Sequence, residues 1–83
     1  MKDFQLYDVE DNYIAYGVAR DKSFFSIYNL DGENISYGMM YDASSFSIYN
    51  NEGTYISFGS LNRDGQFTVY DLEGNNIAYG LIG

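Results

Sequence analysis

Four copies of one 21-residue unit account for nearly the whole chain. Phe4, Phe25, Phe46 and Phe67 open the copies, and Gly17, Gly38, Gly59 and Gly80 recur thirteen residues later. The openings read Phe4-Gln5-Leu6-Tyr7-Asp8, Phe25-Ser26-Ile27-Tyr28-Asn29, Phe46-Ser47-Ile48-Tyr49-Asn50 and Phe67-Thr68-Val69-Tyr70-Asp71. A period this short is one supersecondary unit copied, with neighbouring units burying one another's apolar face. The chain therefore reads as a single domain over 1–83, with units at 4–24, 25–45, 46–66 and 67–83.

Each unit holds two short runs rich in Phe, Tyr, Ile, Val and Ser with period-two alternation, and Pro is absent. That is the pattern of a β-hairpin. The links inside the hairpins are Asn29-Leu30-Asp31-Gly32, Asn50-Asn51-Glu52-Gly53 and Asp71-Leu72-Glu73-Gly74. They fit a type I turn closed by a left-handed Gly, with Asn or Asp accepting from the turn backbone. In the first unit Asp11 stands in the Gly place.

A three-residue loop of this kind pairs Ile27 with Ile35, Ser26 with Ser36 and Phe25 with Tyr37. One face then carries Phe25, Ile27, Ile35 and Tyr37, and the other Ser26, Tyr28, Ser36 and Gly38. Four-residue links between units keep Phe25 on the face of Val18. They also set Tyr28 over Gly17, Tyr49 over Gly38 and Tyr70 over Gly59, a known protection of weak sheet positions.

Eight strands in an antiparallel meander follow. The first and last carry the interior pattern without Lys or Pro to guard an edge, and no polar capping unit is present. The expected architecture is all-β, a closed small barrel or strongly curled sheet. The alternatives are a sheet dimerising face to face, or a two-blade propeller fragment completed by oligomerisation, either of which makes a homo-oligomer.

Composition narrows the chemistry. The chain has no Cys and no His, which removes thiolate sites, the usual general base and the commonest zinc ligand. Ser23, Ser44 and Ser45 are candidate nucleophiles with no base to activate them, and Lys2 and Lys22 lie near the start and in a loop. Four equivalent copies also suit an enzyme poorly, so a non-catalytic protein without a cofactor is expected. The tips superficially resemble a calcium loop, but Gly falls at the fourth position rather than the sixth and no bidentate Glu follows, so no metal is expected.

The formal net charge is −8. That argues against direct nucleic-acid or anionic-membrane binding and favours a basic partner. The absence of an apolar leader before the first unit points to a cytoplasmic protein.

The acids are unevenly placed. Asp8, Glu10, Asp11, Asp31, Glu33, Glu52, Asp71 and Glu73 all fall at the turns within units, which a meander gathers along one rim, and no Lys or Arg falls there. The opposite rim mixes Asp21, Asp42 and Asp64 with Arg20, Lys22 and Arg63. A one-signed rim steers a cationic partner, so those eight acids are the candidate partner-binding residues. The partner would be a basic protein surface, including that of a nucleic-acid-binding protein, engaged by a mimic of nucleic acid. Tyr7, Tyr28, Tyr49 and Tyr70 form a second candidate surface, suited to stacking on sugars. A structural or engineered repeat scaffold without ligand is the remaining alternative.

Overall fold

A computed structural model describes residues 3–82. The eight strands are β1 (Phe4–Asp8), β2 (Tyr13–Ala19), β3 (Phe24–Asn29), β4 (Asn34–Met40), β5 (Ser45–Asn50), β6 (Tyr55–Leu61), β7 (Gln66–Asp71) and β8 (Asn76–Ile82). Each pairs antiparallel with its neighbours in sequence, and β1 pairs with β8 from Phe4↔Ile82 to Asp8↔Ala78, closing the barrel. Closure leaves no free edge, which answers the lack of edge protection in the first and last strands. The chain meets its own edge, so neither dimerisation nor a shared propeller is needed to satisfy the backbone.

The turns within units form as their sequences dictate. In the second unit Gly32 N–H donates to Asn29 O at 3.0 Å, and Asn29 Oδ1 accepts from the N–H groups of Asp31 and Glu33, each at 3.0 Å. Asp8, Asn50 and Asp71 do the same for their own turns. Gly32, Gly53 and Gly74 have φ of 87°, 83° and 89°, and Asp11 follows at 70°.

Beyond the turn the register differs from the one expected. Tyr28 faces Asn34, but Ile27 faces Ser36, Ser26 faces Tyr37 and Phe25 faces Gly38. Ile35 has been extruded as a β-bulge, and Ile14, Ile56 and Ile77 occupy the same place in the other hairpins. One extra residue flips every later side chain to the other face. Ile35 and Tyr37 therefore point outward, whereas Ser36 and Gly38 point inward. The Asn34 side-chain amide ties down the irregular backbone, donating to Ile27 O at 3.0 Å and Ser36 O at 3.1 Å.

The links between units are one residue shorter than expected: Arg20 N–H donates to Phe24 O at 2.8 Å, Tyr41 N–H to Ser45 O at 3.1 Å and Asn62 N–H to Gln66 O at 2.8 Å, each enclosing three residues. Ala19 pairs with Phe25 and Val18 with Ser26, so Val18 lies on the face opposite Phe25. Tyr28 lies beside Tyr16 and not Gly17, and Tyr49 and Tyr70 lie beside Tyr37 and Phe58.

Volume explains the bulge. A register with Tyr37 inward would set a large ring opposite each Phe in a barrel only wide enough for side chains to fill. With the bulge, odd strands supply large residues (Phe4, Leu6, Phe25, Ile27, Phe46, Ile48, Phe67, Val69) and even strands supply small ones (Ala15, Gly17, Ser36, Gly38, Ser57, Gly59, Ala78, Gly80), all buried. The four Phe rings form a closed edge-to-face cycle, with centroids 5.4, 5.8, 6.1 and 5.2 Å apart and planes at 79–82°. Each ring fills the space over the Gly of its own hairpin. Aromatic cover of Gly thus occurs inside the barrel, by Phe, rather than outside by Tyr.

Candidate functional site

A meander closed into a barrel puts its odd-numbered turns at one end. That end carries Asp8, Glu10, Asp11, Asp31, Glu33, Glu52, Asp71 and Glu73, so all eight expected rim residues share it. Eight of the chain's twelve acids and none of its four cations fall in these turns. The remaining four acids and four cations balance, so the net charge of −8 arises at one end of the molecule.

The eight acids do not all do the same work. Asp8 and Asp71 are turn formers: each Oδ1 accepts two backbone N–H groups, and each Oδ2 accepts a side-chain amide, from Asn12 and Asn75 at 3.1 Å. These donors favour the ionised carboxylate, and backbone and side-chain bonds from Asn12 and Asn75 hold Asp8 and Asp71 below the usual carboxylate range. Glu33 accepts from Asn29 Nδ2 at 2.8 Å. Asp11 accepts the hydroxyl of Tyr79 across the β1–β8 seam, a bond that raises the Tyr79 pKa above its ordinary 10.0.

Glu10, Asp31, Glu52 and Glu73 form a different set. They occupy the same turn position in the four units, two residues after the Asn or Asp that organises the turn. Their backbone N–H groups are used by the turn, but among the described residues their side chains make no hydrogen bond, and all four are exposed. Turn geometry alone does not call for a carboxylate here, least of all for Glu, whose side chain is too long to act as an Asx turn former. Exposed apolar side chains sit beside them: Val9, Leu30 and Leu72 are 53–60% exposed at the tips, and the bulged Ile14, Ile35, Ile56 and Ile77 are 40–43% exposed below. The end is therefore acidic and apolar together.

The four expected Tyr lie on the outer wall, each stacked on Tyr37 or its equivalent in another unit, the position that the expected hairpin register sets on the face of Phe25. Tyr28 stacks on Tyr16 and Tyr49 on Tyr37, both at 5.4 Å; Tyr70 stacks on Phe58 at 5.4 Å, and Tyr7 on Tyr79 at 5.6 Å. Tyr13 and Tyr55 extend two of these pairs at 5.7 Å each. The missed partners Tyr16, Tyr37, Phe58 and Tyr79 share one signal, a Gly immediately after them; a Gly chosen to admit a Phe ring must point inward, which forces its neighbour outward. At strand lengths of five to seven residues this belt is shorter than the nine to eleven residues that cross a bilayer.

At the opposite end, Met40, Leu61 and Ile82 pack on the core. The void they help enclose is apolar and about 20 Å³, little more than one water and too small for a ligand. No cluster of three or more acidic residues with metal-binding geometry exists among the described residues. Comparison with protein-family models, curated proteins and solved structures finds no match.

Proposed function

We propose that this chain is a non-catalytic binding protein whose acidic end engages a basic protein surface. One observation carries the reading: four carboxylates, Glu10, Asp31, Glu52 and Glu73, recur at a turn position where the fold gives their side chains no task. Their repulsion is a cost that no cation at that end offsets, and a cationic partner would relieve it while using the apolar tips Val9, Leu30 and Leu72 as contacts. A nucleic-acid-binding protein of the host cell fits this chemistry, with the barrel acting as an inhibitor of phage or mobile-element type that occupies a basic groove.

The test is capture from cytoplasmic lysate by the wild-type protein and by a Glu10→Gln, Asp31→Asn, Glu52→Gln, Glu73→Gln variant, at low and high salt. Salt-sensitive capture of basic proteins by wild type alone supports the reading. Equal capture by the variant sinks it.

The outward Tyr16–Tyr28 and Tyr37–Tyr49 stacks favour a second reading, a carbohydrate-binding module. Since Phe covers the glycines, these rings are not needed for that task. Under this reading Tyr28→Ala with Tyr49→Ala abolishes binding on a glycan array, and the acids are irrelevant.

A further inference from the structure

The aromatic stacks on the outer wall are not chemically alike, because one of them carries a guanidinium. Arg20, exposed at the end of β2, reaches back along β3. Its Nε donates to Ser26 Oγ at 3.2 Å and its Nη2 donates to the Tyr28 hydroxyl. The register assembles the surroundings: Tyr16 pairs with Tyr28 and Val18 with Ser26, all four on the outer face. Ser26 points outward yet is only 9% exposed, as expected for a residue with a guanidinium over it. Tyr28 in turn stacks on Tyr16 at 5.4 Å.

The fold does not require a cation here. Tyr41 and Asn62 stand in the place of Arg20 beside the Tyr37–Tyr49 and Phe58–Tyr70 stacks, and they close the same three-residue links. The local charge is also particular to this link. Arg20 and Lys22 outnumber Asp21, whose Oδ1 accepts from the N–H and hydroxyl of Ser23 at 2.8 and 3.3 Å. The link after Tyr41 has Asp42 alone, and the link after Asn62 sets Arg63 against Asp64. The acidic end lies at the far end of β2, seven residues and about 20 Å away. That is more than twice the Debye length of about 8 Å at physiological ionic strength.

A guanidinium has about five N–H donors. Among the described residues Arg20 uses two of them, both on neutral hydroxyls, and no carboxylate accepts the others. The two hydroxyls hold the planar fork in place, which is the arrangement that pairs well with a carboxylate. The phenol rings beside it offer flat, amphipathic contact area. A uronic acid matches both groups at once, since its carboxylate is carried directly on the sugar ring. We propose that the Arg20, Tyr16 and Tyr28 patch is a subsite for an acidic sugar, a hexuronic acid of a glycan. The proposal rests on the carbohydrate reading and adds a charge preference to it, which the stacks without a cation do not share.

The experiment titrates oligogalacturonate and its methyl ester into the protein by calorimetry at physiological salt, so that the two probes differ in charge alone. Arg20→Asn is the informative variant, because Asn62 occupies the equivalent position. Arg63→Asn is its charge-matched control, and circular dichroism verifies that each variant is folded. The wild type is expected to bind the acid more tightly than the ester. Arg20→Asn should weaken the acid alone by roughly fivefold, the upper end for an exposed ion pair. Arg63→Asn should change neither. Tyr28→Phe keeps the ring but removes the hydroxyl that positions the guanidinium, so it should weaken the acid and spare the ester. Equal binding of acid and ester overturns the subsite and leaves the sugar reading standing. So does an acid preference that survives Arg20→Asn or falls equally in Arg63→Asn. Displacement of the acid by acetate at equal carboxylate concentration makes the patch a simple anion site and refutes the proposal. A protein that binds neither probe loses the subsite, and a blank glycan array removes the carbohydrate reading with it.

Discussion

Replacing Gly38 by alanine places a methyl carbon 2.1 Å from Cζ and 2.2 Å from Cε2 of Phe25. Carbon atoms sit comfortably at about 3.5 Å or more, so the ring must withdraw by over 1 Å. It has nowhere to go. Its neighbours in the cycle, Phe4 and Phe46, lie at centroid distances of 5.4 and 5.8 Å, and the nearby void is about 20 Å³. Overpacking a filled core costs about 1–3 kcal/mol. Disturbing two edge-to-face contacts costs about 0.5–1.5 kcal/mol more. Relief of glycine's backbone entropy returns about 0.5–1 kcal/mol. The net is roughly 2 kcal/mol, or about 8–16 °C in Tm for a domain of this size. Thermal and urea unfolding followed by circular dichroism measure it. Two comparisons sharpen the test. Gly80→Ala should cost more, because its Cβ would lie 2.2 Å from the backbone oxygen of Gln5, which cannot rotate away. Phe25→Leu with Gly38→Ala should cost less than the sum of the two single changes, since the smaller side chain frees the space. Strict additivity, or a Gly38→Ala protein as stable as wild type, would refute the large-over-small packing and the bulge that creates it.

Three further outcomes are expected. Asn50→Ala removes the acceptor for the N–H groups of Glu52 and Thr54, at 2.9 and 3.0 Å, and should cost roughly 1–2 kcal/mol in urea unfolding. Ser36→Ala and Ser57→Ala should each be tolerated within about 1 kcal/mol, because the first and fourth units already carry Ala15 and Ala78 at this buried position. Backbone N–H bonds depress the pKa of Asp8, Asp42 and Asp71, with Asn12, Ser44 and Asn75 the leading donors. A carboxylate with a depressed folded-state value stabilises the fold above its ordinary 3.8 and loses that contribution as pH falls through the folded value. Stability should therefore decline below about pH 4, and NMR titration should place these three midpoints under 3.8.

The features readable from the chain were those set by local chemistry and by repetition. Asn29, Asn50 and Asp71, followed three residues later by Gly, specify their turns without help from the rest of the molecule. Four copies with unguarded first and last strands imply closure, because unpaired edges would be a liability. The acidic end follows from the same topology. What the sequence hid was the bulge. Ile35 and Tyr37 are the best β-formers in the second strand, and amphipathy read within one hairpin places them with Phe25 and Ile27. The barrel overrules this, because its interior must be filled by the inward residues of eight strands at once and cannot hold Phe and Tyr in each unit. The competing constraint is a volume, which no single hairpin contains.

The measurement that addresses the acidic end most directly is calorimetric titration with nona-lysine across a series of salt concentrations. Two variants are compared with wild type, each losing three charges. One carries Glu10→Gln, Glu52→Gln and Glu73→Gln at the acidic end, and the other Asp21→Asn, Asp42→Asn and Asp64→Asn at the opposite end. Wild type is expected to bind with an affinity that falls steeply as salt rises. The acidic-end variant should lose at least tenfold and the opposite-end variant little. Equal losses in the two variants would mean that the peptide reads only the overall charge, and the acidic end would not be a binding surface.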